Sequence, residues 1–259
     1  MATPTDMLWA RDPHTAAKHQ MLGAYLQAWF PIIASSFGRA GLTYVDAFAG
    51  PGEYTGGEIG SPLIALAQAR RPDVSGHGCA TRMLFIESRQ DRLQHLESLI
   101  EARYPLSSRP PHWIVRTVLG RCEELLVPAL AEIHAERAPI FVNFDGWGVD
   151  TPLSLVRHVG RYPSAEVLIT FQAQWFVRFA SQNDIVAGDR VFGSVDWRSL
   201  AATGSPAEKK RTLIELYRTK LTEAAFPRSL VFEMIDEGGH ELLLVYGTGS
   251  DRMKKKLSM

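Results

Sequence analysis

Five short apolar runs separated by stretches of helical periodicity constrain this chain more than any other feature. The runs are LTYVDAF (42–48), RMLFIE (82–87), HWIVRTVL (112–119), PIFVNFD (139–145) and EVLITF (166–171). Between them, SPLIALAQAR, DRLQHLESLIEARY, CEELLVPALAEIHAE and PLSLVRHVGRY read as helices. Strands that alternate with helices at this spacing imply a parallel sheet covered by helices on both faces. The expectation is an α/β protein with a doubly wound, mostly parallel sheet.

The two ends of the chain add to this plan. HTAAKHQMLGAYLQAWFPIIASSF places Leu22, Leu26, Trp29, Phe30 and Ile33 at the spacing of an amphipathic helix, which Pro31 is expected to kink or divide. After Phe171 the alternation stops. Residues 172–227 hold scattered aromatics and a basic amphipathic segment, SPAEKKRTLIELYRTKLTEA, with Ser205 as its N-cap. SLVFEMID and HELLLVYGT, joined by Glu237-Gly238-Gly239, then read as an antiparallel hairpin. The chain reads as a single domain over 1–259. It has an N-terminal helical segment (1–40), a ligand-binding core (41–171), a helical cap or insertion (172–227) and a closing hairpin (228–259). Five strands with helices and a closing hairpin is the plan of the Rossmann-like class I methyltransferase fold.

Composition excludes several functions. Lys and Arg total 28, matching the 28 Asp and Glu, so no overall cationic field favours nonspecific binding of a polyanion. The two cysteines, Cys79 and Cys122, are too few for a disulfide framework. No apolar stretch reaches the length of a membrane span, and the first residues do not read as a secretory signal. The expectation is a cytoplasmic, reduced protein with no membrane association. The eight histidines show no zinc-ligand spacing, and Ser61 lacks the surroundings of a hydrolase elbow, so no metal is assigned.

The first apolar run ends in Asp46 and leads into FAGPGEYTGGEIGSP, with glycines at 50, 52, 56, 57 and 60. In a doubly wound sheet, ligands bind beyond the carboxyl ends of the strands, and glycine lets a ligand lie against the main chain there. The Gly-x-Gly-x-x-Gly spacing of a dinucleotide site is absent. An acid four residues before Gly50 suits the ammonium group of S-adenosylmethionine (SAM). Glu87, ending the second run, can accept hydrogen bonds from both ribose hydroxyls. Taken singly, the glycines read as a flexible turn and Glu87 as a solvated residue opening a helix. Their joint placement at successive strand ends favours the cofactor. The candidate cofactor residues are Lys18, Asp46, Phe48, Gly50, Gly52, Glu87, Ser88, Cys122 and Glu123.

These residues resemble the three-Cys-motif partner (TcmP) family of bacterial proteins, within the class I SAM-dependent methyltransferase superfamily. The likeness runs nearly end to end, through DPHTAAKHQML, YLQAWFPII, YVDAFAGPGEYTGGEIGSPLIAL, NFDGWG, EVLITF with FVRF, and the closing LLLVYGT with RMKKK. It implies the fold and the cofactor, not a substrate. More distantly, Phe48-Ala49-Gly50-Pro51-Gly52 is similar to the Phe-x-Gly-x-Gly loop of methyltransferases acting on exocyclic amines of adenine or cytosine. HTAAKH is similar to the amino-terminal segment of ribosomal RNA adenine methyltransferases, which implies that Lys18 helps to hold the cofactor's carboxylate.

Those enzymes carry Asp/Asn-Pro-Pro-Tyr/Phe after the fourth strand, where this chain has Asp145-Gly146-Trp147-Gly148. Asp145 is the candidate group to bind an acceptor amine, Trp147 to stack on a flat acceptor, and Asn143 an alternative polar group. Equally, DGWG reads as a tight turn with a packing tryptophan. Trp175, Phe176, Arg178 and Phe179 read either as an acceptor pocket or as the interior of the cap. The leading function is methyl transfer to an amine nitrogen of a nucleobase or related planar acceptor. The alternatives are a SAM-binding accessory protein active only with a protein partner, and a SAM-using enzyme that transfers no methyl group.

Overall fold

A computed structural model of the chain describes residues 5–146, 149–179 and 186–249. Its contacts cluster into two compact units, one holding the chain up to Asn143 and the other Phe144–Ser250.

The first unit opens with helix α1 (Pro13–Phe37). Asp12 caps it by accepting from the Thr15 backbone N–H at 2.9 Å, and Pro13 occupies the first turn, where a missing N–H costs nothing. Pro31 does not divide α1. The backbone hydrogen bond lost there costs about 3 kcal/mol. Leu26, Trp29, Phe30 and Ile33 lie fully buried around it, each contributing about 1.5–3 kcal/mol, which outweighs that loss.

Strand β1 (Leu42–Asp46) follows, then helices α2 (Ser61–Ala69) and α3 (Pro72–Ser75), β2 (Thr81–Glu87), α4 (Gln90–Arg103), β3 (Trp113–Leu119), α5 (Cys122–Glu132) and β4 (Ile140–Phe144). The strands pair in parallel, β1 lying between β2 and β4, with β3 on the far side of β2. The register sets Asp46 opposite Phe85 on one side and Asn143 on the other. Every residue of β1 and β4 is buried, which is why both read as unbroken apolar runs rather than alternating ones. Tyr44 and Phe141 stack across the β1–β4 pair, 6.0 Å between centroids.

The second unit contains α6 (Leu153–Val159) and β5 (Glu166–Phe171), then four helices without a strand among its described residues: α7 (Ala173–Phe179), α8 (Val186–Phe192), α9 (Asp196–Ala202) and α10 (Pro206–Glu223). Ser205 and Glu208 form a reciprocal capping box at the start of α10. The chain then forms the hairpin of β6 (Arg228–Ile235) and β7 (Glu241–Thr248), and β7 is antiparallel to both β6 and β5. Lys210 on α10 ties the hairpin by bridging Glu233 at 2.5 Å and Glu241 at 2.6 Å. Taken in order, the seven strands run β3-β2-β1-β4-β5-β7-β6, a mixed sheet whose first five strands in sequence lie to one side of the hairpin.

Candidate active site

The strand ends of the first unit bring acids to one edge of the sheet. Asp46 closes β1 with no exposed surface, and the Tyr44 hydroxyl donates to its Oδ2 at 3.4 Å. A buried carboxylate needs such partners, because stripping it of water without them costs several kcal/mol, on the order of a lost ion pair. Beyond Asp46 the chain turns sharply. The Ala47 N–H donates to the Asn143 carbonyl and the Ala49 N–H to the Ile86 carbonyl, which draws the turn across both neighbouring strands.

Glu87 fixes the next residue of that turn. Its Oε2 accepts from the Gly50 N–H at 2.9 Å, and its Oε1 accepts from the Arg89 N–H at 2.8 Å and the Ser88 hydroxyl at 3.3 Å. The glycine turn and the acid at the end of β2 are thus one hydrogen-bonded unit, although 37 residues separate them. Glu87 is buried but keeps an acceptor lone pair for a further donor, since Oε2 takes a single one of these bonds.

The glycines of the turn serve two different ends. Gly50 has φ +63°, and a Cβ there would meet nothing nearer than the Trp9 ring at 3.8 Å, so its bare face opens onto space. Gly52 has φ +88°, and a Cβ there would strike Leu96 of α4 at 2.7 Å. Gly60 backs onto Gly52, donating its N–H to the Gly52 carbonyl at 2.6 Å. Only the first of these is shaped as a cradle; the other two let the loop fold against α4 and against itself.

Cys122 opens α5 after β3. Burial, and then the charges of Asp46 and Glu123, push its thiol up to about 12. That dependence sets Cys122 within electrostatic reach of Asp46. Glu123 is exposed and lies 3.9 Å from Arg121. Phe48 and Lys18 are half-buried. Burial works to raise the Asp12 carboxyl, but the hydrogen bonds from Thr15 and the charge of Lys18 hold it below the usual range, so Lys18 lies near Asp12 at the start of α1. Asn143 is buried on β4 beside Asp46.

In the second unit, Asp145 lies one residue past β4, half-buried, and its Oδ1 accepts from the hydroxyl of Thr170, itself buried near the end of β5. Trp147 lies outside the described residues, so its stacking role has no geometry here. Phe176 is fully buried among Phe171, Phe192 and Trp197, which makes it cap interior, while Trp175 is half-buried against its edge. Among the described residues no group of three or more His, Cys, Asp or Glu side chains could hold a metal ion, and no helix is long and apolar enough to cross a membrane.

The segment sequence reasoning missed is the strap 5–12. The Arg92 and Arg89 guanidiniums hold the carbonyls of Asp6 and Thr5, and the Thr55 N–H donates to the Trp9 carbonyl at 3.0 Å. Arg11 reaches Glu58 at 3.7 Å. These residues show no periodicity, so no pattern marked them as ordered; the single signal was an aromatic, Trp9, among polar neighbours.

No family model matches the chain, and no curated protein matches it. Solved structures do. Trm1 from Pyrococcus horikoshii, in complex with SAM, matches 98% of this chain at a TM-score of 0.52 and 10% identity. The chain spans 60% of the length of that structure. A precorrin-6y C5,15-methyltransferase from Geobacter metallireducens matches over 95% of this chain and 100% of its own, at 9% identity and a TM-score of 0.44. The N-terminal domain of EvdMO1 with S-adenosylhomocysteine (SAH) bound matches 85% of this chain and 81% of its own, at 15% identity and 0.43. With the sheet described above, the likeness to Trm1 defines the fold class: a Rossmann-like α/β fold with a mostly parallel sheet.

Proposed function

We propose that the protein is a SAM-dependent methyltransferase acting on an amine nitrogen of a nucleobase or related planar acceptor. The observation that carries this reading is the bond from the Gly50 N–H to Glu87, which fixes an open-faced glycine turn against the acid ending β2, with Asp46 buried at the end of β1. The Trm1 structure with SAM supports it, as a class I fold with that ligand. The residue likeness to the TcmP family points the same way and suits a cytoplasmic bacterial protein.

The residues present fit SAM. The open face of Gly50 offers the cradle, Glu87 retains acceptor capacity for ribose hydroxyls, and Asp46 supplies negative charge for an ammonium group. Phe48, Ser88, Cys122, Glu123 and Lys18 complete the proposed cofactor set, with Gly52 letting the turn close against α4 behind Gly50. When bound, SAM supplies an electrophilic methyl group on a sulfonium sulfur. Asp145 then has the acceptor's work: accepting a hydrogen bond from the amine frees its lone pair from the ring, and the same carboxylate takes the proton that leaves. Thr170 holds that carboxylate by donating its hydroxyl to Oδ1. Asn143 and Trp147 are the remaining acceptor candidates.

Isothermal titration of the full chain with SAH tests the cofactor reading. Binding is expected, and Glu87→Gln is expected to weaken it by about tenfold, the loss of one charge-assisted hydrogen bond. Absence of binding to the wild-type protein overturns the proposal. Asp145→Ala is expected to spare SAH binding and to abolish transfer of labelled methyl to RNA or free nucleosides. Binding of SAH with no transfer by the wild-type chain to any of these would favour the accessory-protein reading.

A further inference from the structure

Trp9 lies beside the glycine turn without being packed away in the core. Trp29 and Trp197 are fully buried, as residues kept for packing are, whereas Trp9 stays half-buried with its ring edge beside the bare face of Gly50. The guanidinium of Arg92 lies over the indole at 4.6 Å, and Tyr54 meets it edge-on at 5.6 Å between centroids. Arg92 is itself buried and also holds the Asp6 carbonyl at 2.8 Å. The indole is therefore locked by partners from α4 and from the glycine loop, and its remaining edge faces the side on which Gly50 lacks a side chain.

We propose that Trp9 is a wall of the cofactor site, held there by the strap 5–12 and by Arg92. The inference rests on the cofactor reading above and adds to it a residue that lies outside every motif of the sequence. Anything lying against the Gly50 main chain sits within van der Waals reach of the indole, because a carbon placed at the Cβ position of Gly50 is already 3.8 Å from the ring. A rigid aromatic on that side contributes contact area at little entropic cost. The Arg92 contact fixes the ring before the ligand arrives, so little ordering is left for binding.

The test uses the full chain with SAH as probe, followed by calorimetry and by tryptophan fluorescence. Trp9→Ala is expected to weaken SAH by about tenfold or more, as loss of an aromatic anchor does. Trp9→Phe keeps a flat ring and is expected to restore most of that affinity while removing much of the fluorescence change that SAH causes in the wild type. Two results overturn the inference: Trp9→Ala binding SAH as the wild type does, or Trp9→Phe showing the full wild-type fluorescence change. Should Trp9→Ala not fold, the fluorescence comparison with Trp9→Phe decides alone. A wild-type chain that takes up no SAH brings down the cofactor reading itself, and is told apart by its own titration curve.

Discussion

The strand ends of the first unit and the helical interior of the second use burial for opposite purposes. At the end of β1 and β2 the chain buries carboxylates, Asp46 and Glu87, and spends backbone and side-chain donors to hold them. Between β5 and α10 it buries rings: Phe171 stacks on Tyr217 at 4.5 Å, Phe192 on Trp197 at 5.6 Å, with Phe176 against three of them. Rings packed on rings are stable without a ligand. Buried acids are costly to maintain, and a fold that retains them at adjacent strand ends has a use for their charge. Aromatic content alone would have pointed to the second region as the binding site; the cost of burial points to the first.

The comparison breaks if the aromatic interior turns out to bind the cofactor. Trp197→Ala removes a fully buried indole that also donates to Asp189 at 3.0 Å, and should destabilise the protein by about 3–5 kcal/mol. Thermal unfolding reads that loss, while calorimetry on the folded fraction should give the wild-type affinity for SAH. Gly52→Val comes next. A branched side chain at φ +88°, with Leu96 2.7 Å from its Cβ, should cost about 2–4 kcal/mol from backbone strain and overpacking together. Gly50→Ala separates the two glycines. Its φ of +63° costs about 1–2 kcal/mol, but the space around its Cβ is free, so the thermal midpoint should fall less than in Gly52→Val. SAH affinity should move the other way, dropping by about tenfold in Gly50→Ala as the cradle fills. Equal SAH affinities for wild type and Gly50→Ala would mean that this turn, like Gly52, is shaped by packing alone.

Much of the first region was legible in the sequence. β1 and β4 are buried on both faces and so appear as unbroken apolar runs, and an acid that ends such a run, as Asp46 and Glu87 do, stands out. The individual glycines were not legible, because the same residue meets an open face at 50 and Leu96 at 52, and only the neighbouring helix separates the two cases. Pro31 is a related case: a local rule predicted a kink or a break, and α1 runs through it undivided, with Trp29, Phe30 and Ile33 buried around it. The strap 5–12 has no period to read, since side chains from α4 and the glycine loop hold it and it has no regular structure of its own. At Asp145, the motif position could be read, whereas its partner Thr170 lies 25 residues away on another strand.

The smallest effect tests the acid end most directly. Burial and the carboxylates of Asp46 and Glu123 push the Cys122 thiol up to about 12 from an ordinary 9.0. The folded state therefore holds this proton more tightly than the unfolded chain does. The stability it contributes is fully present below pH 9 and is lost as the pH rises through about 12. Unfolding midpoints in a Cys79→Ala background should decline over that window, and Cys122→Ala should flatten the decline whatever cavity it leaves. The same thiol should react with a disulfide reagent far more slowly in the folded protein than after unfolding, since the thiolate is the nucleophile. A Cys122 that reacts at the unfolded rate would place both it and its neighbour Asp46 in water, and an acid in water costs the fold nothing to keep. The difference between the two regions would then rest on Glu87 alone.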